Sequence, residues 1–264
     1  MFIRKPKVEL LAHTPNPEKV ITSAAKLCYS NTKPSELFGK QTPESVEKFL
    51  NMIMKLGHGS ILEHAVFTFA IEDISRVTEI QLCRHRTASP SIQSGRYVRR
   101  NPCYFIPEEI DNDEIAKDIY INHCEMSTHT YLMLINRLER VHIAKKLNIT
   151  IEDTYKLDDD TYEKERKKVE KIALEDARYA LPQSLRTHGV FSMDLRNLIG
   201  FIGKRKCKRA QREVRLVAQQ IYDLIEPLLP TISKYIGAPC EIGSCPEGDM
   251  CCGNPYPKKN KQNI

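Results

Sequence analysis

Residues 57–97 read GHGSILEHAVFTFAIEDISRVTEIQLCRHRTASPSIQSGRY. The apolar period changes within this stretch. Ala65 to Ile71 is β-branched and aromatic with near alternation, which predicts a strand. Ile74 to His85 carries Val77, Ile80 and Leu82 as the inward positions of a helix. Pro90 and Gly95 interrupt regular structure beyond that helix. A strand feeding a helix and then an Arg-rich loop excludes an all-helical chain. No G-x-G-x-x-G and no Walker A lysine motif occurs, which argues against a dinucleotide-binding Rossmann domain and a P-loop.

Upstream, Lys7 to Ala12 reads as a short strand and Asn16 to Cys28 as a helix. A second helix runs from Thr42 to Leu56, with Thr42 as cap, Pro43 in the first turn, and Gly57 as a left-handed stop. Downstream, Arg96 to Ile106 reads as a strand interrupted at Pro102. Ile115 to Leu147 is a long amphipathic helix with Ile115, Ile119, Met126, Leu134, Leu138 and Val141 as its stripe. Ile151 to Lys171 is a charge-dense excursion leading to a helix from about Glu163 to Tyr179, which Leu181-Pro182 stops. Phe191 to Ile202 reads as a short apolar helix. Ala210 to Leu229 is the clearest helix, striped by Val214, Val217, Ala218, Ile221, Leu224, Ile225 and Leu228. The pattern gives an α+β, helix-rich compact domain at 1–235 with a small antiparallel sheet, then a Cys-rich, basic tail at 236–264.

The 264 residues are 41% hydrophobic and 28% charged, enough apolar material for a packed core. The composition excludes collagen, wholesale disorder and a disulfide-framework miniprotein. No apolar run approaches the roughly 18 residues a membrane span needs. Met1 to Glu9 lacks a secretory apolar region, so a soluble, cytoplasmic protein is expected. A net charge of +6 suits a phosphorylated small substrate as well as nucleic acid. Against nucleic acid, Trp is absent, Lys is not interleaved with aromatics, and no helix-turn-helix or zinc-finger spacing appears.

Arg84-His85-Arg86 continues through Ser89, Ile92, Gln93, Ser94, Gly95 and Arg96. Guanidiniums bind phosphate oxygens in forks, and loop hydroxyls and N–H groups complete such a cradle. A basic helix end followed by a polar turn would give the same pattern without a ligand. His58-Gly59-Ser60 precedes Glu63-His64, which lacks H-E-x-x-H spacing. Arg178 stands at a helix end. Arg205, Arg209 and Arg212 share a face if helical, as an anion site or as a solvated basic surface. Of nine cysteines, Cys28, Cys83, Cys103 and Cys124 read as buried thiols. Cys240, Cys245, Cys251 and Cys252 cluster in the tail, and Cys207 could join Cys240, Cys245 and Cys251 in a tetrahedral zinc site. Free thiols are the alternative, because the tight C-x2-C pair is missing.

The Arg84-His85-Arg86 block with Ser94 resembles the RHR-x7-S signature of flavin-dependent thymidylate synthases. Gly57-His58 through Glu63 to Phe69, Ala177-Arg178 with Leu181-Pro182, Leu195 to Leu198, and Arg205 through Arg209-Ala210-Gln211 to Glu213 follow that family's order. The resemblance implies a homotetramer with FAD and substrate at subunit interfaces. It implies conversion of dUMP to dTMP with 5,10-methylenetetrahydrofolate and NADPH as co-substrates. It would place His58, Ser60, Arg84, His85, Arg86, Asp194, Arg196 and Gly200 on FAD. Gln81, Arg84, Ile92, Gln93, Ser94, Gly95, Arg96 and Arg178, the last from another subunit, would hold dUMP. Arg205 would activate the uracil ring. Ile92 stands where the family usually has Glu or Gln, and Asp194 where it commonly has Asn.

Overall fold

The strand expected at 65–71 is β3, Val66–Ser75, in the computed structural model, which describes residues 1–259. The chain forms two units. The first comprises Met1–Arg4, Ser75–Val77 and Ile92–Thr187. The second comprises Lys5–Ile74, Thr78–Ser91 and the chain from His188 onward.

The second unit is built on a sheet of order β2-β3-β6-β4, where β2 is Lys7–His13, β4 Ser89–Ile92 and β6 Arg186–Asp194. β2 and β3 are antiparallel, with Val8 opposite Ile71 and Leu10 opposite Phe69. The register shifts between Leu10 and Ala12, and Leu11 is left exposed there. Phe67, Phe69 and Ile71 alternate along β3 and are all buried, as the near-alternation of the sequence requires. The helices are α1 (Pro17–Leu27), α2 (Pro34–Gly39), α3 (Pro43–Leu56), α4 (Arg76–Cys83), which begins in the first unit, α8 (Leu195–Lys206), α9 (Arg212–Ile225) and α10 (Pro239–Ile242). Thr42 caps α3 by accepting the Ser45 N–H at 3.3 Å, and Gly57 ends it at φ 71°. α9 packs on β2 and α8 and buries Val214, Val217, Ala218, Ile221 and Ile225. Each large member of that stripe contributes roughly 1.5–3 kcal/mol of burial. Gln220 of α9 accepts the Val8 N–H at 3.1 Å and donates to the Pro6 carbonyl at 2.9 Å, satisfying edge-strand backbone.

The first unit pairs β1 (Phe2–Ile3) in parallel with β5 (Tyr104–Phe105) and adds α5 (Glu108–Asp111), α6 (Glu114–Leu147) and α7 (Asp159–Ala177). α6 and α7 pack along one another, with Tyr131, Ile135, Leu174 and Ala177 between them. Glu139 is buried in this unit, 3.3 Å from Arg99 and 3.6 Å from Arg166. Burial pushes its carboxyl up, and the two guanidiniums oppose that shift.

Several expectations are corrected. Residues 191–194 end a strand instead of starting a helix: Phe191 and Met193 are buried on alternate positions, and α8 begins after Asp194 caps it. An apolar run this short fits either period. The strand expected over 96–106 reduces to Tyr104–Phe105, because Arg96 and Tyr97 lie in a turn. β4 runs through Pro90, which an edge strand tolerates. α7 starts at Asp159, where Asp158 accepts the Thr161 N–H at 2.9 Å. Ile80 is exposed, as are Cys28 and Cys83. The α6 stripe is also misplaced. Cys124, Tyr131, Ile135 and Ile143 face the core, while Ile115, Ile119 and Met126 are exposed. Among the described residues, no helix is long and apolar enough to cross a membrane.

Candidate functional site

In the second unit, Arg84-His85-Arg86 forms the turn that leaves α4, with the His85 N–H bonded to the Leu82 carbonyl at 3.1 Å. The last turn of α8 brings Arg205 to it. The Arg205 Nε–H donates to His85 Nε2 at 3.0 Å across 120 residues of sequence. The His85 ring stands edge-on to buried Phe201, centroids 4.9 Å apart. Burial first, and then the positive charge of Arg205 and Lys204, lowers the imidazole pKa to about 4. His85 is therefore neutral at pH 7 and presents Nε2 as an acceptor. Burial, followed by the nearby charge of Arg84, also lowers the pKa of Arg205. The bond to His85 uses Nε and leaves the two terminal amino groups of the fork outside it. Gln81 donates to the side-chain oxygen of Gln211, the residue preceding α9.

The same unit holds the other residues matched to a flavin site. His58 and Ser60 are exposed on either side of Gly59. Arg196 covers Gly59 so closely that an added Cβ would lie 3.6 Å from its Nε, and it pairs with Glu63 at 2.5 Å. Arg84, Arg86 and Gly200 are exposed, and nothing lies within 4 Å of a Cβ placed at Gly200. Asp194 caps α8, accepting the Asn197 N–H at 3.0 Å and its side-chain amide.

The first unit gathers a second cationic group. Arg178 follows α7 and lines a cavity of about 320 Å³ with Arg76, Arg100 and Gln183. Arg100 is buried and donates to the Arg186 carbonyl at 2.6 Å and the Gln93 carbonyl at 2.7 Å. That fixes the start of the loop Gln93-Ser94-Gly95-Arg96. A Cβ on Gly95 would stand 3.7 Å from both Arg100 Nε and Arg178 Cδ, so the loop passes between two arginine stems. Ser94 Oγ accepts the Arg96 N–H at 3.2 Å. Arg96 pairs with Glu175 at 2.9 Å, while its Nε is buried without a partner. Ile92 is half-buried at the end of β4. The structure thus brings together Gln93, Ser94, Gly95, Arg96 and Arg178 in one unit, and Gln81, Arg84, His85 and Arg205 in the other. Sequence reasoning missed Arg76 and Arg100. The signal for Arg100 was its place at the end of the basic block, where it reads as another solvated charge. A larger cavity of about 730 Å³, beside Asn16, Thr42 and Thr231, contains none of the expected residues.

Cys207, Cys240, Cys245, Cys251 and Cys252 line one cavity of about 10 Å³ in the second unit. Yet among the described residues no group of three or more His, Cys, Asp or Glu side chains is placed to hold a metal. This departs from the expected zinc site on Cys207, Cys240, Cys245 and Cys251.

The family described as "Thymidylate synthase complementing protein" matches residues 9–231. A flavin-dependent thymidylate synthase of Clostridium tetani is 43% identical over 94% of this chain and 93% of its own length. One from Geobacter sulfurreducens is 36% identical over 94% of each. The fold is that of a UMP/dUMP methylase, PolB from Streptomyces cacaoi, solved with 5-Br dUMP: TM-score 0.68, 19% identity, 88% of this chain and 95% of that one. From its signature residues, its site geometry and these relatives, the chain belongs to the flavin-dependent thymidylate synthase family and is an enzyme of that methyltransferase class.

Proposed function

We propose that this chain carries out the FAD-dependent reductive methylation of dUMP to dTMP. 5,10-Methylenetetrahydrofolate donates the one-carbon unit and NADPH the hydride. The observation that carries the reading is the bond from Arg205 to neutral His85, which joins two motifs far apart in sequence at one point. The catalytic domain is read as residues 1–235, followed by the tail 236–264.

The donor set fits both ligands. FAD is a pyrophosphate, and exposed Arg84, Arg86 and Arg196 with His58 and Ser60 offer it forked cations and small donors. Gly200 leaves open space beside them. The Asp194 carboxylate is engaged as a helix cap, so its part is to hold the start of α8. Bound FAD would supply the redox chemistry, accepting hydride from NADPH and returning it to the methylene carbon. The dUMP phosphate is a dianion, and the partnerless Nε of Arg96 answers it. Arg178 serves the nucleotide of another subunit.

Uracil C5 is a weak nucleophile. A guanidinium held against the ring carbonyls stabilises the negative charge that develops as C5 attacks. Arg205 is suited to this because His85 fixes its Nε side and burial removes competing water. His85 orients Arg205 without adding a charge of its own. Homotetramer formation is supported by exposed Ile115, Ile119, Met126 and Met133 at spacings of four, seven and seven along α6.

The test is the visible absorbance of purified protein reconstituted with FAD, recorded before and after dUMP is added. A bound-flavin spectrum that shifts with dUMP is expected. Failure to retain flavin after reconstitution would overturn the reading.

A further inference from the structure

The described part of the tail, residues 236–259, lies on the loop between α8 and α9 within the second unit. Lys206 pairs with Glu241 at 3.2 Å, with both side chains nearly fully buried. Tyr256 donates its hydroxyl to the Lys206 carbonyl at 3.1 Å, Lys208 binds Asn254 at 2.8 Å, and Arg209 pairs with Glu247. Five cysteines enclose the small cavity at the centre of these contacts. Its volume, about 10 Å³, is at the lower limit for a single water, so the sulfurs are close packed.

Within that cluster the thiols differ. Cys251 is exposed, whereas Cys245 is half-buried, and both line the same cavity. Gly253 reaches its place with φ 68° and Gly248 with φ 51°, both left-handed conformations. Two turns therefore flank Cys251, which is reachable from solvent, while Cys245 is partly covered. Arg209 and Lys208 line the same cavity and add positive charge.

We propose that Cys251 and Cys245 form a thiol–disulfide modification site, with Cys251 as the attacking sulfur and Cys245 as the resolving one. The oxidant class is a low-molecular-weight disulfide. The Cys251 thiolate attacks one sulfur of that disulfide, its S–S bond breaks, and one small thiol leaves. Cys245 loses its proton to solvent and attacks the Cys251 sulfur, releasing the second small thiol. The two cysteines are oxidised by two electrons and the small disulfide is reduced to two thiols. The bridge closes the loop that carries Glu247, the partner of Arg209. This inference stands apart from the proposed reaction, since it uses no residue assigned to substrate or flavin.

The full chain is equilibrated with oxidised glutathione, alkylated, digested and mapped by mass spectrometry, with metal content measured beforehand. Of nine thiols, two are expected to resist alkylation after treatment, linked as Cys245–Cys251. Reduction by dithiothreitol is expected to restore all nine. C251S, at an exposed position, should abolish the bridge, and C252S should leave it intact. C245S should trap a glutathione adduct on Cys251. Nine alkylatable thiols after treatment, a bridge through Cys252 or Cys240, or one equivalent of metal shielding these thiols in the purified protein would each overturn the proposal.

Discussion

In the proposed reaction, Arg205 and His85 set the chemistry at the scale of single residues. A guanidinium anchored through Nε has lost most of its rotational freedom before substrate arrives. Arg205→Ala is expected to lower the rate of dTMP formation by about 100-fold or more, with flavin binding retained. Steady-state rates and the flavin spectrum of the variant check this, and full activity would remove Arg205 from the mechanism. His85 gives a pH signature. Its folded pKa of about 4 lies below the ordinary 6.5, so between these values the unfolded chain binds more protons. Stability is therefore complete above pH 6.5 and is lost progressively as pH falls toward 4. His85→Gln keeps an acceptor without the proton and is expected to flatten the decline in melting temperature across that window. An unchanged slope would mean that another group controls it.

At the scale of elements, α6 and α7 hold the first unit through an apolar seam and buried carboxylates, of which Glu139 is the most deeply placed. Glu139 is 1% exposed, and its partners Arg99 and Arg166 reach it from a loop and from α7. Removing Glu139 takes its charge from Arg166 and Arg99, which keep Glu170 and, for Arg166, Glu163, so the cost falls at the low end for a buried pair. Glu139→Ala is expected to cost about 3 kcal/mol, the low end for such deletions because Arg99 can return to solvent. Urea denaturation at neutral pH measures it, and a loss below about 1 kcal/mol would show the network to be peripheral. Helix boundaries were legible at α3, where residue identities supplied both signals, but not at α7 and α8, whose caps Asp158 and Asp194 read as ordinary charged residues. Thr42 and Gly57 mark α3 at both ends. Residues 191–194 were misread because their apolar positions suit strand and helix alike, and only pairing within the sheet separates the two.

For the whole molecule, the exposed faces are informative. Ile115, Ile119, Met126 and Met133 are 60–74% exposed along one side of a 34-residue helix. Such a stripe is costly in water unless another surface covers it. The double variant Met126→Glu and Met133→Glu is expected to shift the protein to a smaller species by light scattering and to weaken FAD retention. A tetramer of unchanged mass would place the interface elsewhere. The stripe also explains why the core face of α6 was misplaced. Periodicity finds apolar faces, but it does not say whether the partner is the chain's own core or another copy.

The sequence alone determined the α+β class and the family, and it named the candidate site residues. Arg84-His85-Arg86, Ser94 and Arg205 are chemical signals carried by residue identity and spacing, and they need no coordinates. Tertiary structure decided which of these side chains meet. The Arg205–His85 bond and the arginine-lined cavity with Arg76 and Arg100 join residues distant in sequence, and local pattern holds no information on such pairs. It also decided the fate of the tail cysteines, whose spacing allowed a four-sulfur metal site. Four of them line one cavity with Cys207, and the turns at Gly248 and Gly253 shape the backbone that carries Cys251, because backbone conformation sets where a sulfur lies.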